Sequence, residues 1–135
     1  VQYTDPPGMP DDERMTDAEF RCVREWLGLT DKWVAAHLDV DQRTVRRWEA
    51  GTSPIPDGVR EELEALEAMT GEAVAQAVAQ LQDVPDVTVV VYRTDAGYRS
   101  AVPKATMPAS WHRRVVMRAA LDVPGVAITY EPGPA

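Results

Sequence analysis

The chain has 135 residues, 44% of them hydrophobic, and a formal net charge of −8. That suffices for one compact domain or two small ones, and a unit of about 60 residues folding alone buries only a marginal core. A single cysteine, Cys22, excludes an internal disulfide framework and suits a reducing cytoplasm, and no apolar run of about 18 residues marks a membrane span.

The acidity is local. Between Asp57 and Asp86 eight carboxylates face one base, Arg60, whereas from Val87 onward six bases outnumber three acids. Nucleic-acid binders usually carry an overall basic balance, so here the distribution of charge matters more than its sum.

The opening "VQYTDPPGMPDDERM" is rich in Pro, Asp and Gly and lacks the apolar core of a signal peptide; it reads as a disordered arm over residues 1–14. Val1 ahead of Met15-Thr16 suggests an alternative start codon, which the intact mass of the native protein decides. Thr16-Asp17-Ala18-Glu19 has the spacing of a capping box, and Phe20, Val23, Trp26 and Leu27 form an apolar stripe that Gly28 ends. Trp26 is expected to complete the small core. Thr30 caps a second helix with Val34, Ala35 and Leu38 inward. Residues 39 and 40 make a turn, Asp41 caps a third helix, and Gly51 stops it. Pro54 and Pro56 form a connector to a long acidic helix with Val59, Leu63 and Leu66 inward, bent at Gly71 and running to about Gln82.

"DVPD" closes that helix. "VTVVVYR" is a strand by its β-branched content, and "TDAG" is expected to turn it into "YRSAV" as a hairpin. Ser110 is expected to cap a helix to about Leu121, "DVPG" breaks it, and "VAITYE" reads as a final strand. The layout is α+β: residues 15–84 an all-α helix-turn-helix bundle with the long acidic helix, residues 85–135 a small α/β dimerisation part.

"DQRTVRRWEAG", the third helix, raises the functional question. Val45 and Trp48 define its buried side, which turns Arg43, Arg46 and Arg47 outward with Gln42 and Thr44 flanking. Two short helices joined by a tight turn, the second carrying such side chains, form a helix-turn-helix. Arg can bond guanine O6 and N7 together in the major groove, and Gln suits adenine. A merely solvated arginine face is the plain alternative.

Residues 16–56 resemble the phage-repressor and Cro-like helix-turn-helix family through "LGLT" before the second helix, Ala35 within it, "DQRTVRRWEAG" as recognition helix and "SPIP" after it. The resemblance implies Gln42, Arg43 and Arg47 as base readers, with Thr44 and Arg46 nearer phosphates. Two positions depart from the family. Asp39 stands where the interhelix turn often has Gly. Asp31 stands where the second helix often offers Gln to a phosphate, and its charge would repel one; Lys32 beside it takes that role. The order of elements after "SPIP" resembles the YdiL-type regulators, which include anti-CRISPR-associated autorepressors of phages. This implies a homodimeric repressor on an inverted-repeat DNA operator.

The strands point to a dimer independently. Both "VTVVVY" and "VAITY" are apolar on both faces, and one helix covers one face of so small a sheet, so a second copy or the acidic helix must cover the other. Val89, Val91, Trp111, Val115 and Ile128 are the expected dimerisation residues, with Trp111, Val115 and Ala119 an i, i+4, i+8 stripe. Arg113, Arg114 and Arg118 lie off that stripe and are expected to be solvated. Trp33 packs either on DNA, on a partner, or over the edge of its own core.

Enzyme chemistry finds no support. His37, His112 and Cys22 lack metal-ligand spacing, Ser110 and His112 lack an orienting acid, the carboxylates of 57–72 are expected at solvated positions, and there is no Gly-rich phosphate loop. No cofactor, metal or membrane partner is expected. Two other functions share these features: an antitoxin whose C-terminal half wraps a toxin, and a protein-interaction adaptor that does not bind DNA, which the net charge would favour.

Overall fold

A computed structural model describes residues 14–133 and divides into two compact units, one ending at Ala68 and the other starting at Met69. The division falls inside one long helix. The arm expected over residues 1–14 lies, Arg14 apart, outside the described residues.

The first unit is all helical: α1 (Asp17–Trp26), α2 (Asp31–Leu38), α3 (Gln42–Ala50) and the beginning of α4 (Asp57–Leu81). Each start has a local cause. The Thr16 hydroxyl accepts from Glu19 N at 3.1 Å while Glu19 Oε1 accepts from Thr16 N at 3.0 Å, a complete capping box. The bond from the Thr16 backbone N–H, and after it the Thr16 hydroxyl, hold the Glu19 carboxyl below the usual carboxylate range. The Thr30 hydroxyl accepts from Trp33 N at 3.0 Å and starts α2. Asp41 stands at the N-cap of α3 but makes no side-chain cap bond.

The core of this unit gathers Phe20, Leu27, Val34, Leu38, Val45 and Trp48, with Val59 and Leu63 of α4 against them. Phe20 meets Trp48 edge-on, ring centroids 5.7 Å apart. Trp26 does not join them; it is 49% exposed. At about 100° per residue, Trp26 lies roughly 120° around the helix from Phe20, while Leu27 returns to the buried side. Asp57 is another departure, since it is buried at the start of α4 whereas Glu61, Glu64, Glu67 and Glu72 are exposed as expected. Helix α4 runs uninterrupted through Gly71.

The second unit sets the rest of α4 with β1 (Thr88–Val91), α5 (Asp95–Ala101), α6 (Ala109–Asp122) and β2 (Ala127–Tyr130). The expected hairpin is replaced by a helix. The Thr94 hydroxyl accepts from Gly97 N at 3.0 Å, so "TDAG" caps α5 instead of turning a strand back. β1 pairs in parallel with β2, Thr88 against Ala127 and Val91 against Tyr130, with α5 and α6 forming the crossover between them. Ser110 does not cap α6. Pro108 holds the N-cap position, and the Asp95 carboxylate accepts from Ala109 N at 2.8 Å.

Val91, Tyr98, Trp111, Val115, Val116 and Ala119 form this unit's core, and the Trp111 indole donates to the buried Thr70 hydroxyl at 2.9 Å. His112 is half-buried and stacks on Tyr98 with centroids 4.7 Å apart; burial first, then the charge of Arg113, lowers its pKa. It also borders a cleft of 540 Å³ shared with Gln76, Tyr98 and Trp111. Arg113 is not a solvated side chain, since it is half-buried and donates to the Tyr92 carbonyl, whereas Arg114 is exposed.

Candidate nucleic-acid interface

The turn between α2 and α3 sets the direction of α3. Asp39 adopts the left-handed conformation, φ 55° and ψ 46°, and Val40 N bonds back to the Ala35 carbonyl at 2.9 Å. Asp tolerates this conformation better than most side chains. Here it does the work of the glycine usual in the resembled family. At the other end Gly51, φ 76°, stops α3, and Thr52 N bonds to the Arg47 carbonyl at 3.0 Å.

A half-buried ion pair anchors the C-terminal end of α3. Arg24 Nη2 lies 2.7 Å from Glu49 Oε1, the two side chains 14% and 13% exposed, and Arg24 Nη1 also donates to the Leu29 carbonyl at 2.9 Å. With Val45 and Trp48 buried on one side, the helix cannot roll without breaking this pair.

The opposite face carries the charge. Arg43, Arg46 and Arg47 are exposed, Gln42 and Thr44 half-buried, and Lys32 of α2 exposed nearby in sequence. Among the described residues, the side chains of Arg43, Arg47 and Lys32 make no ion pair. The first turn of α3 contains no acid and includes Arg43. A cation at a helix N-terminus is opposed by the helix dipole by about 0.3–1 kcal/mol, an arrangement that an anionic ligand would relieve.

Gln42 and Arg46 are different. Asp31, the first residue of α2, accepts from Gln42 Nε2 at 3.1 Å through Oδ1 and from Arg46 Nε at 3.2 Å through Oδ2. Its Oδ1 also accepts from Lys32 N at 2.8 Å. Burial pushes the Asp31 pKa up, but the bonds from Arg46, Gln42 and Lys32 outweigh it and hold the carboxyl below its ordinary value. The residue that sequence alone casts as a repulsive oddity is the hub of this face. Its signal was the unusual acid itself.

Trp33 is half-buried and stacks on His37, centroids 4.8 Å and planes 13° apart, while His37 Nε2 lies 3.7 Å from Glu62. Of the expected dimerisation residues, Val91, Trp111 and Val115 serve the core of their own unit, Val89 is half-buried, and Ile128 is exposed. No three His, Cys, Asp or Glu side chains among the described residues are grouped to hold a metal ion, and no described helix is long and apolar enough to cross a membrane.

The chain is a small α+β protein whose α3 displays three exposed arginines on an all-helical unit. The chain belongs to the Aca2/YdiL-like family, whose model matches residues 15–125, and that family is regulatory rather than enzymatic. No curated protein matches the chain.

Proposed function

We propose that the chain is a sequence-specific regulator that binds double-stranded DNA through a phage-repressor or Cro-like helix-turn-helix, α2 and α3. It acts as a homodimeric repressor on an inverted-repeat operator, without catalysis or cofactor. The observation that carries this reading is the exposed face of α3: three arginines opposite Val45 and Trp48 in a chain of net charge −8. Gln42, Arg43 and Arg47 read base edges, and Thr44, Arg46 and Lys32 meet phosphates.

A second copy accounts for the second unit's surface. Val90, Ile128 and Tyr130 on a two-stranded sheet are exposed, as are Met117 and Leu121 on α6, the last at 73%. A two-stranded sheet is marginal by itself, and among the described residues no third strand pairs with it. Selection of bound duplexes from a random pool, read by sequencing, tests the reading. Enrichment of a two-fold symmetric site supports it, and failure to bind any duplex at low salt leaves the protein-interaction adaptor in its place.

A further inference from the structure

We infer that Asp31 is a positioning residue that sets DNA specificity, by holding Gln42 and Arg46 in one orientation and keeping their donors from nonspecific phosphates. This rests on the DNA-binding reading above. Asp31 Oδ1 takes the Gln42 amide and Oδ2 takes Arg46 Nε, so one carboxylate organises two side chains one helical turn apart on α3. Both would otherwise sample several rotamers, and a base contact made by an unrestrained side chain loses affinity to ordering.

The geometry of the Arg46 bond matters most. Asp31 engages Arg46 through Nε at 3.2 Å on a side chain that stays 65% exposed, so much of the guanidinium faces solvent. Arg46 therefore keeps a donating edge, but one fixed in direction. A phosphate in the correct register can take that edge; a phosphate elsewhere along the groove meets a guanidinium already neutralised by a carboxylate. Asp31 also places a negative charge at the start of α2, against any phosphate approaching without register. Arg43, Arg47 and Lys32 carry no such restraint among the described residues and supply the register-independent attraction.

Asp31→Asn removes the charge and keeps the side chain's shape. We expect it to raise affinity for scrambled duplex about 3- to 10-fold while operator affinity stays level or falls, shrinking the ratio between them by at least about 3-fold. The salt slope on scrambled duplex should steepen by about one phosphate contact per half-site as Arg46 is released. Asp31→Glu, which keeps the charge, should hold the wild-type slope on scrambled duplex. Circular dichroism of each variant checks that helical content is unchanged, since Asp31 is half-buried at the start of α2. An equal rise on both duplexes would make Asp31 a simple repulsive charge and overturn the assignment, as would no change on either. If the wild-type chain binds no duplex at low salt, the DNA reading itself fails and this role falls with it. Those results are distinguishable.

Discussion

Arg43 sits in the first turn of α3, the end that enters the groove in helix-turn-helix complexes, and its side chain is exposed and without an ion pair among the described residues. Arg43→Ala is therefore expected to cost about 1–3 kcal/mol per half-site and to relax preference at one base position. Lys32→Ala, by contrast, should weaken operator and scrambled duplex alike and lower the salt slope by about one contact per half-site. Titrating both variants against both duplexes at two salt concentrations separates the roles; equal losses for Arg43→Ala would make it a phosphate contact. His112 gives a residue-scale test of the second unit. Its folded pKa lies below the ordinary 6.5 because burial and Arg113 disfavour the charged ring. The stability it permits is present above 6.5 and is lost as pH falls through the lower folded value. Thermal melts should fall more between about pH 7.5 and 5.5 for wild type than for His112→Phe, and parallel falls would refute this linkage. At this scale the sequence marked the arginines well, because Val45 and Trp48 leave only one face for them. It could not show that Asp31 reaches across to Gln42 and Arg46, since that pairing depends on the angle between two helices.

Single elements depend on a few special positions. Gly51 ends α3 at φ 76°, and a Cβ there would stand 2.9 Å from Asp17 Oδ2. Gly51→Ala should destabilise the chain by about 1–2 kcal/mol, mainly through the left-handed backbone because the Asp17 carboxylate can swing aside. Glu49→Gln leaves Arg24 with the Leu29 carbonyl but without its counter-ion, and is expected to cost about 1–3 kcal/mol. Urea unfolding measures both: a neutral Glu49→Gln would remove the anchor argued for α3, and a neutral Gly51→Ala would remove the strain argued for its left-handed stop. Helices whose starts are set by local chemistry were legible: the Thr16 box and the Thr30 cap can be read straight from the letters. The hairpin was not, because Thr and Asp before Gly suit a turn and a helix cap equally. Which one forms is decided by the partner of β1, and that strand lies far downstream.

For the whole molecule, the exposed apolar surface of the second unit predicts a dimer at micromolar concentration by light scattering. Ile128→Asp should yield a monomer with unchanged circular dichroism, and Leu121→Glu tests the α6 surface on a side chain whose own burial is slight. A monomeric wild type would overturn the dimer. With two reading helices related by a two-fold axis, half-site centres should fall about 34–36 Å apart or at a multiple of that. Fold class was legible at this scale from the change in composition near residue 86, while the parallel pairing was not, because strand alternation carries no information on direction.

The parallel register also orders events in time. Val91 faces Tyr130, so β1 must wait for about forty further residues before its partner exists, whereas the partners that close α1 to α3 all lie within the first unit, before Met69. During synthesis the first unit can finish while β1 is still a lone strand. On the reading proposed above, a newborn chain would meet DNA as a single reading head before it could find a twin, and cooperative occupancy of both half-sites would lag translation by the time needed to complete and pair the second unit.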